Sequence, residues 1–189
     1  DLPITSLKEF EEYAKRNPGA INFGSTGNGS SMHLAAEMFK ARTGTDLTHV
    51  PYQAPAVATN DLIAGRIQAM FQLIVGIQGQ VRGDLVRPIA VLSENRAPQL
   101  PDVPTTAEQG MPGLVFGTWF GLLGPKGTPA PVIARMNREM NAVLADEGAK
   151  ARLIQAGLAV GGGTPEQFAA FLDSEIKSHA ELVRAAGVR

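Results

Sequence analysis

The chain has 189 residues, enough for one domain with a good core or for two small lobes, and its 44% hydrophobic and 19% charged residues are typical of a globular protein. A formal net charge of −1 with scattered lysines and arginines argues against a nucleic-acid-binding face, and the apolar runs are far too short to span a membrane. The absence of cysteine excludes disulfides, thiolate catalysis and zinc–sulfur sites, and three widely separated histidines form no metal motif.

The first predicted elements are a helix, a strand and a second helix. Ser6 and Glu9 form a capping box, which starts the first helix, and Asn17-Pro18-Gly19 ends it. A β-type run at residues 21–23 follows, and the second helical pattern ends at Gly44. Strand and helix are joined by an unusual loop.

All eight residues from Gly24 to Ser31 are Gly, Ser, Thr or Asn; we call residues 24–31 the anion loop. The helix that follows leaves its first N–H groups unpaired and carries a partial positive charge at that end. Glycines let the backbone approach a ligand closely, and hydroxyl groups add donors. The sequence therefore predicts a cradle for a carboxylate or phosphate oxygen.

Strand-like and helical segments alternate through the rest of the chain. Further strands are predicted at residues 47–50, 67–73, 85–92 and 158–160. Further helices are predicted at residues 56–64, 105–110 and 147–156 and from residues 129 and 165 onward, with residues 74–80 helical or irregular and 115–123 extended. This alternation indicates an α/β protein with a largely parallel sheet, in which ligands bind outside the carboxyl ends of the strands, where the anion loop falls.

Other sites with glycine-rich loops fit the anion loop poorly. The nucleotide-binding P-loop needs a lysine where this chain has Ser30, and the dinucleotide fingerprint needs a glycine where it has Met32. No serine lies in a G-x-S-x-G motif. A loop that merely turns the chain stays open as an alternative, although about two or three residues would suffice for that. Because the loop lacks Lys and Arg, it suits a carboxylate that must be released again.

The histidines have simple structural interpretations. His33 lies one turn into the second helix, where it could donate to a ligand or serve in capping or packing. His49, beside a strand, and His179, on an apolar helix face, are interpreted as structural.

Three further positions are candidates for the site. Backbone N–H groups of residues 52–56 precede a helix at the carboxyl end of a strand, and Gln72 ends the third strand and should face the same cleft. Trp119 lies in a glycine-flanked extended segment, where it is either a core residue or part of an interlobe hinge at the cleft wall.

Six motifs together resemble a known family in order and spacing over essentially the whole chain. They read FGSTGNGSSMHLAAEMF, DLTHVPYQ, DLIAGRIQAMF, LPDVPTTAEQGMPG, TWFGLLGPKGTP and GGTPEQFAAFL. The family is that of the substrate-binding proteins of tripartite tricarboxylate transporters (the Bug or TctC family). The resemblance implies a periplasmic protein of the Venus-flytrap type that closes two α/β lobes on a small carboxylate, often a di- or tricarboxylate. It delivers this ligand to membrane subunits and has no catalytic activity, cofactor or metal.

The resemblance and the preceding arguments give one set of ligand-binding candidates: Ser25, Thr26, Gly27, Asn28, Gly29, Ser30, Ser31, His33, Ala54, Gln72 and Trp119. The chain departs from the family pattern at two places near the expected cleft. Gln53 stands where the family usually has a lysine, and Gln72 stands where it usually has an acidic residue. The second change removes a cleft charge and argues against an amine-bearing ligand such as an acidic amino acid.

The resemblance also implies a domain plan. Residues 1–19 would be a lead-in helix from the first lobe, residues 20–115 a whole second lobe of the type 2-like periplasmic binding fold, and residues 116–189 the return crossing and C-terminal helices of an incomplete first lobe. A complete family member has a further segment ahead of this start, including a second ligand-binding loop, so we expect the chain to be a fragment. Its first residues show no signal-peptide pattern.

Two alternatives stay open at this point. One is an enzyme that uses the anion loop for a phosphorylated or carboxylated substrate, with His33 as the only plausible general base. The other is a stand-alone sensory or interaction module built on the same lobe.

Overall fold

The computed structural model describes residues 2–185 and residue 187. Asp1, Ala186, Val188 and Arg189 lie outside the described residues, and with them the end of the segment predicted to be helical from residue 165 onward. The chain divides into two compact units, one formed by Asp1–Thr118 with Glu181–Arg189 and the other by Trp119–Ala180.

The elements confirm the predicted α/β class. The first unit contains α1 (Leu7–Arg16), β1 (Asn22–Ser25), α2 (Ser31–Thr43), β2 (Thr48–Pro51), α3 (Pro55–Ile63), β3 (Ala69–Met70) and α4 (Ile74–Arg82). Three helices follow: α5 (Ala130–Ala145), α6 (Glu147–Gln155) and α7 (Pro165–Ala185). No helix among the described residues has the length and apolar character that crossing a membrane requires.

The three strands form a parallel sheet in the order β2-β1-β3. Ser25 at the end of β1 is paired with Pro51, and Gly24 with Met70. The carboxyl ends of all three strands therefore meet at one edge, and α2, α3 and α4 each begin a few residues beyond it. This edge brings three helix N-termini together.

The core of the first unit lies between α1, α2 and the sheet. Phe23 of β1 and Phe39 of α2 are fully buried, and the Phe39 ring lies 5.5 Å from that of Phe10 on α1. The other buried members of this core are Ile4, Leu7, Ala14, Ile21, Ala36, Leu47, Met111 and Leu114. The predicted capping box of α1 is confirmed, since Glu9 N–H donates to Ser6 Oγ at 3.2 Å and Ser6 N–H donates to Glu9 Oε2 at 3.1 Å.

Some predicted elements are wrong or too long. Residues 85–92 form no strand beyond a single bridge between Val91 and Thr105, because Pro88 has no N–H for a continuous ladder. The predicted helix at residues 105–110 is a turn, although both capping-box bonds between Thr105 and Glu108 are present. The segment is too short to add the further turns that a stable helix needs. The strand predicted at residues 67–73 is reduced to β3, and residues 158–160 are irregular.

In the second unit the predicted helices form, but their apolar stripes are largely exposed. Val132, Met136, Met140 and Val143 of α5 are all exposed, and the described residues of the second unit contain no strand that could cover them. Ile176 on the apolar face of α7 is exposed as well. Amphipathic periodicity predicts which residues share a helix face, and burial of that face requires a partner.

The start of α7 is as predicted. Thr164 N–H donates to Gln167 Oε1 at 2.8 Å, and Gln167 N–H donates to Thr164 Oγ1 at 3.2 Å, which together make a capping box.

Gly24 provides a test of the packing behind the anion loop. A Cβ at this position would lie 2.6 Å from Ile67 Cδ1 and 3.3 Å from Ala58 Cβ, so Gly24→Ala should lower the free energy of unfolding by about 1–3 kcal/mol. The matched control is Gly79→Ala in α4, where a Cβ meets nothing within 4 Å and should stabilise the helix by about 0.5–1 kcal/mol. Urea denaturation of both variants measures the difference, and equal stabilities would contradict the packing described here.

Candidate anion-binding site

The anion loop connects β1 to α2 and has the backbone shape of a helix entrance. Ser30 is the N-cap of α2, and its Oγ accepts the His33 N–H at 3.3 Å. Gly27 has a φ of 114° and Gly29 a φ of 76°, a region that side chains rarely adopt, so both positions require glycine. Between these glycines Asn28 is exposed, which leaves the tip of the loop accessible to a ligand.

Ser25, the first hydroxyl residue of the loop, is turned inward. Its side chain is 0% exposed, and its Oγ accepts the Gly27 N–H at 3.0 Å. The same oxygen shares a 2.5 Å hydrogen bond with His49 Nε2 of β2. The hydroxyl of Ser25 thus fixes the shape of the loop from behind, while Thr26 next to it is exposed.

His33 holds the other end of the loop. Its Nδ1 accepts the Gly29 N–H at 3.1 Å, which places the ring proton of the neutral imidazole on Nε2. That nitrogen lies 3.6 Å from Glu37 Oε1, and Lys40 Nζ donates to the same oxygen at 2.7 Å. Because His33 is only 6% exposed and its Nδ1 is engaged, the residue serves the loop itself.

The two histidines form a stacked pair, which we call the imidazole pair. The rings of His33 and His49 lie 4.0 Å apart and are nearly parallel, at 9°, and the Phe23 ring lies 4.9 Å from His49. Burial lowers the pKa of both histidines below the ordinary value, and the pKa of His49 is lowered further by His33. Glu37 raises both pKa values in part, and Lys40 lowers them.

Sequence reasoning did not bring Ser25 and His49 together. The two residues are 24 positions apart, and His49 was interpreted only as structural. Neither strand alone identifies this pair in the sequence; it follows from the observed pairing of Phe23 with His49, which brings the end of β1 beside β2.

The N-termini of α3 and α4 lie at the same edge of the sheet as the anion loop. Their N-cap residues, Ala54 and Leu73, have no polar side chain that could satisfy the first N–H groups of the helix. Pro55 at the start of α3 has no N–H, so Ala56 supplies the first donor there. Both ends therefore keep their partial positive charge available to a ligand.

Gln72 lies beside the N-terminus of α4. Its Oε1 accepts the Leu73 N–H at 2.9 Å, while its Nε2 is buried and has no hydrogen-bond partner among the described residues. Since Gly24 is paired with Met70, Gln72 follows β3 at the level at which Thr26 follows β1. A buried donor without an acceptor is costly, which makes this amide a position where a ligand oxygen is favourable.

Trp119 belongs to the second unit. Its indole N–H donates to Glu175 Oε2 at 2.9 Å, and its ring packs edge-on against Phe168 and Phe171 at 5.6 and 5.3 Å. The described contacts of Trp119 are thus those of a packed residue within its own unit.

The chain matches one known family over nearly its whole length. The profile described as "Tripartite tricarboxylate transporter family receptor" matches residues 1–188. The UPF0065 protein in the tcbD-tcbE intergenic region of Pseudomonas sp. (strain P51) is 40% identical over 184 residues, which cover 97% of this chain and 55% of the relative. Protein BugT of Bordetella pertussis is 32% identical over 188 residues, which cover 100% of this chain and 58% of the relative.

Solved structures share the fold. The R. palustris protein Rpa4515 with adipate has a TM-score of 0.91 and 31% identity, and the match covers 100% of this chain and 63% of that one. MatC (Rpa3494) from Rhodopseudomonas palustris with bound malate has a TM-score of 0.82 and 30% identity, with coverage of 96% and 63%. The chain thus spans little more than half the length of these two curated relatives and less than two thirds of these two solved ones.

The family match also bears on the enzyme alternative. That alternative needed His33 as a general base, but its Nδ1 already accepts the Gly29 N–H and the ring is buried. The matched family is described as a receptor family, and the two solved relatives contain adipate and malate. From the whole-length profile match and the shared fold, we conclude that this chain belongs to the tripartite tricarboxylate transporter family of receptors.

Proposed function

We propose that this chain provides the anion-binding part of a periplasmic receptor that captures a small di- or tricarboxylate. The observation that carries the proposal is the meeting of three helix N-termini at one edge of the parallel sheet, beside a loop without lysine or arginine. Such an arrangement offers N–H and O–H donors and partial positive charge to an anion without a full countercharge.

The donors available at this edge suit a carboxylate. The exposed side chains of Thr26 and Asn28 and the half-buried Ser31 add hydroxyl and amide donors to the backbone of the anion loop. A carboxylate needs only a few such donors and leaves again easily, as a transport receptor requires. Two solved relatives contain adipate and malate, both dicarboxylates, which supports this ligand class.

The proposed receptor works by lobe closure. In the domain plan that we propose, residues 20–115 form the second lobe, the lead-in helix α1 packs on this lobe through Phe10, and residues 116–189 belong to the return crossing and to the first lobe. A ligand favours the closed state only through contacts that it makes with both lobes, so the anion loop alone should bind weakly. The closed receptor would deliver its ligand in the periplasm to the membrane subunits of a tripartite transporter.

A charge placed in the anion loop tests where the carboxylate binds. Asn28→Asp adds a negative charge at an exposed loop position before α2, where an acid stabilises the helix, so the melting temperature without ligand should not fall. Repulsion between like charges should weaken adipate or malate binding by about tenfold or more. Titration calorimetry and ligand-induced melting shifts measure this loss.

The matched control for Asn28→Asp is Asn95→Asp, which makes the same chemical change in another exposed loop of the same unit. It should leave the affinity within about twofold of wild type, because Asn95 lies outside the anion loop and an exposed charge there is screened by salt. Equal binding by wild type and Asn28→Asp, or no response to any di- or tricarboxylate in a broad panel, would contradict the proposal.

Gln72 should select against ligands with an amine. Gln72→Glu keeps the Oε1 acceptor for the Leu73 N–H, but it replaces the buried amide donor by a carboxylate oxygen. Malate affinity should fall by about tenfold, and the ratio of aspartate to malate affinity should rise by a similar factor. Gln155→Glu, at an exposed position in α6, is the control and should leave the ratio unchanged. A ratio that does not move in Gln72→Glu would exclude this role.

A further inference from the structure

We propose that the imidazole pair positions the anion loop for its ligand and that a proton on His33 releases the loop. This inference rests on the proposed function in one respect, namely that the anion loop holds the carboxylate. Neither histidine needs to contact the ligand, so both are positioning residues. Four features of the geometry carry the inference.

The first is the bond between His33 and Gly29. Gly29 N–H donates to His33 Nδ1 at 3.1 Å, and only an unprotonated ring nitrogen can accept that bond. A proton on Nδ1 would bring two donors face to face at the tip of the loop. Gly29, whose φ of 76° is fixed by this contact and by the turn, would then be free to reorient.

The second is the bond between His49 and Ser25. His49 Nε2 lies 2.5 Å from Ser25 Oγ, which in turn accepts the Gly27 N–H at 3.0 Å. The two loop glycines with positive φ are therefore tied to the two histidines, Gly29 directly and Gly27 through Ser25.

The third is the stacking of the two rings. With centroids 4.0 Å apart, a charge on one ring disfavours a charge on the other. The imidazole pair is therefore either neutral or singly charged over the ordinary pH range. A single proton is enough to disturb the loop if it resides on His33 Nδ1.

The fourth is the set of charged groups that face the pair. From α2 these are Glu37 and Lys40, while β1 contributes the uncharged Phe23 and Ser25 and β2 contributes His49 itself. Glu37 lies 3.6 Å from His33 Nε2 but is already held by Lys40 at 2.7 Å, so its attraction for an imidazolium is partly offset. Burial lowers the pKa of both histidines, which agrees with a pair that is neutral when the loop is formed.

Protonation of His33 and binding of the carboxylate ligand to the anion loop then oppose each other. Above the pKa of His33 the loop is preorganised and affinity does not depend on this group. Below that pKa the competent fraction falls, and the apparent dissociation constant rises by up to about tenfold per pH unit. Acidification would thus favour release of the ligand.

A test without ligand uses NMR spectroscopy of the 189-residue chain between pH 8 and pH 5. The His33 ring should show the Nε2–H tautomer at pH 8, and the Gly29 amide resonance should follow the titration of that ring. His33→Asn offers an amide oxygen near the position of Nδ1 but cannot titrate, so its Gly29 resonance should be independent of pH. A His33 ring with the proton on Nδ1 at pH 8, or a Gly29 resonance that does not follow its titration, would overturn the proposal.

A second test measures adipate affinity by titration calorimetry over the same pH range. The ratio of the dissociation constants of wild type and His33→Asn cancels the protonation of adipate itself. Relative to its value at pH 8, this ratio should rise as the pH falls below the ordinary imidazole pKa of about 6.5, because burial lowers the pKa of His33, and by up to about tenfold per pH unit below that pKa. His33→Phe, which keeps a stacking ring without an acceptor, should bind about tenfold more weakly already at pH 8. A ratio that stays flat with pH would overturn the inference.

The two tests separate this inference from the proposed function. If the wild-type chain binds neither adipate nor any other di- or tricarboxylate, the proposed function fails. The coupling between His33 and the anion loop is still decided by the NMR titration, because that measurement needs no ligand.

Discussion

The site depends on the end of one strand, where a buried hydroxyl is hydrogen-bonded on two sides. Ser25 closes the central strand β1, accepts the Gly27 N–H and bonds His49 of the neighbouring strand. This contact joins the sheet to the anion loop, so the position of the loop is set by the sheet and not by the loop sequence alone. Gly24 just before it has no space for a side chain, which keeps β1 in close contact with α3. Phe23 of β1 is buried in the core, so packing of the core fixes the position of the strand end that carries the site.

The electrostatics of the site follow from topology. In a parallel sheet the strands end at the same edge, and the helices that follow begin there with unpaired N–H groups. Ala54 and Leu73 offer these groups no side-chain partner, and the Gln72 amide adds a buried donor. Positive potential thus accumulates without a lysine or arginine in the anion loop. A site of this kind attracts an anion and lets it leave, which agrees with a receptor of the matched family.

Features encoded by neighbouring residues could be predicted from the sequence, and those created by distant contacts could not. The capping box of Ser6 and Glu9 and the start of α2 after the anion loop were predicted, because each depends on residues a few positions apart. The prediction of a strand at residues 85–92 was wrong. The hydrophobic pattern of this segment is typical of a strand, but Pro88 has no N–H for a continuous ladder. The hydrogen bond between Ser25 and His49 was not predicted, because it joins two different strands and the sequence of neither strand indicates which strand it pairs with. Packing has the same limit: the spacing of the apolar residues of α5 predicts that they share one face, but not that this face is exposed.

The central claim is that the anion loop holds a carboxylate at the carboxyl edge of the sheet. The most direct measurement is an amide NMR titration of the chain with malate, followed at residues 24–31 and at the first turns of α3 and α4. The account predicts saturable shifts concentrated at these backbone N–H groups, with small changes elsewhere in the first unit. Shifts confined to α5 and α6, or none at malate concentrations in the millimolar range, would contradict it.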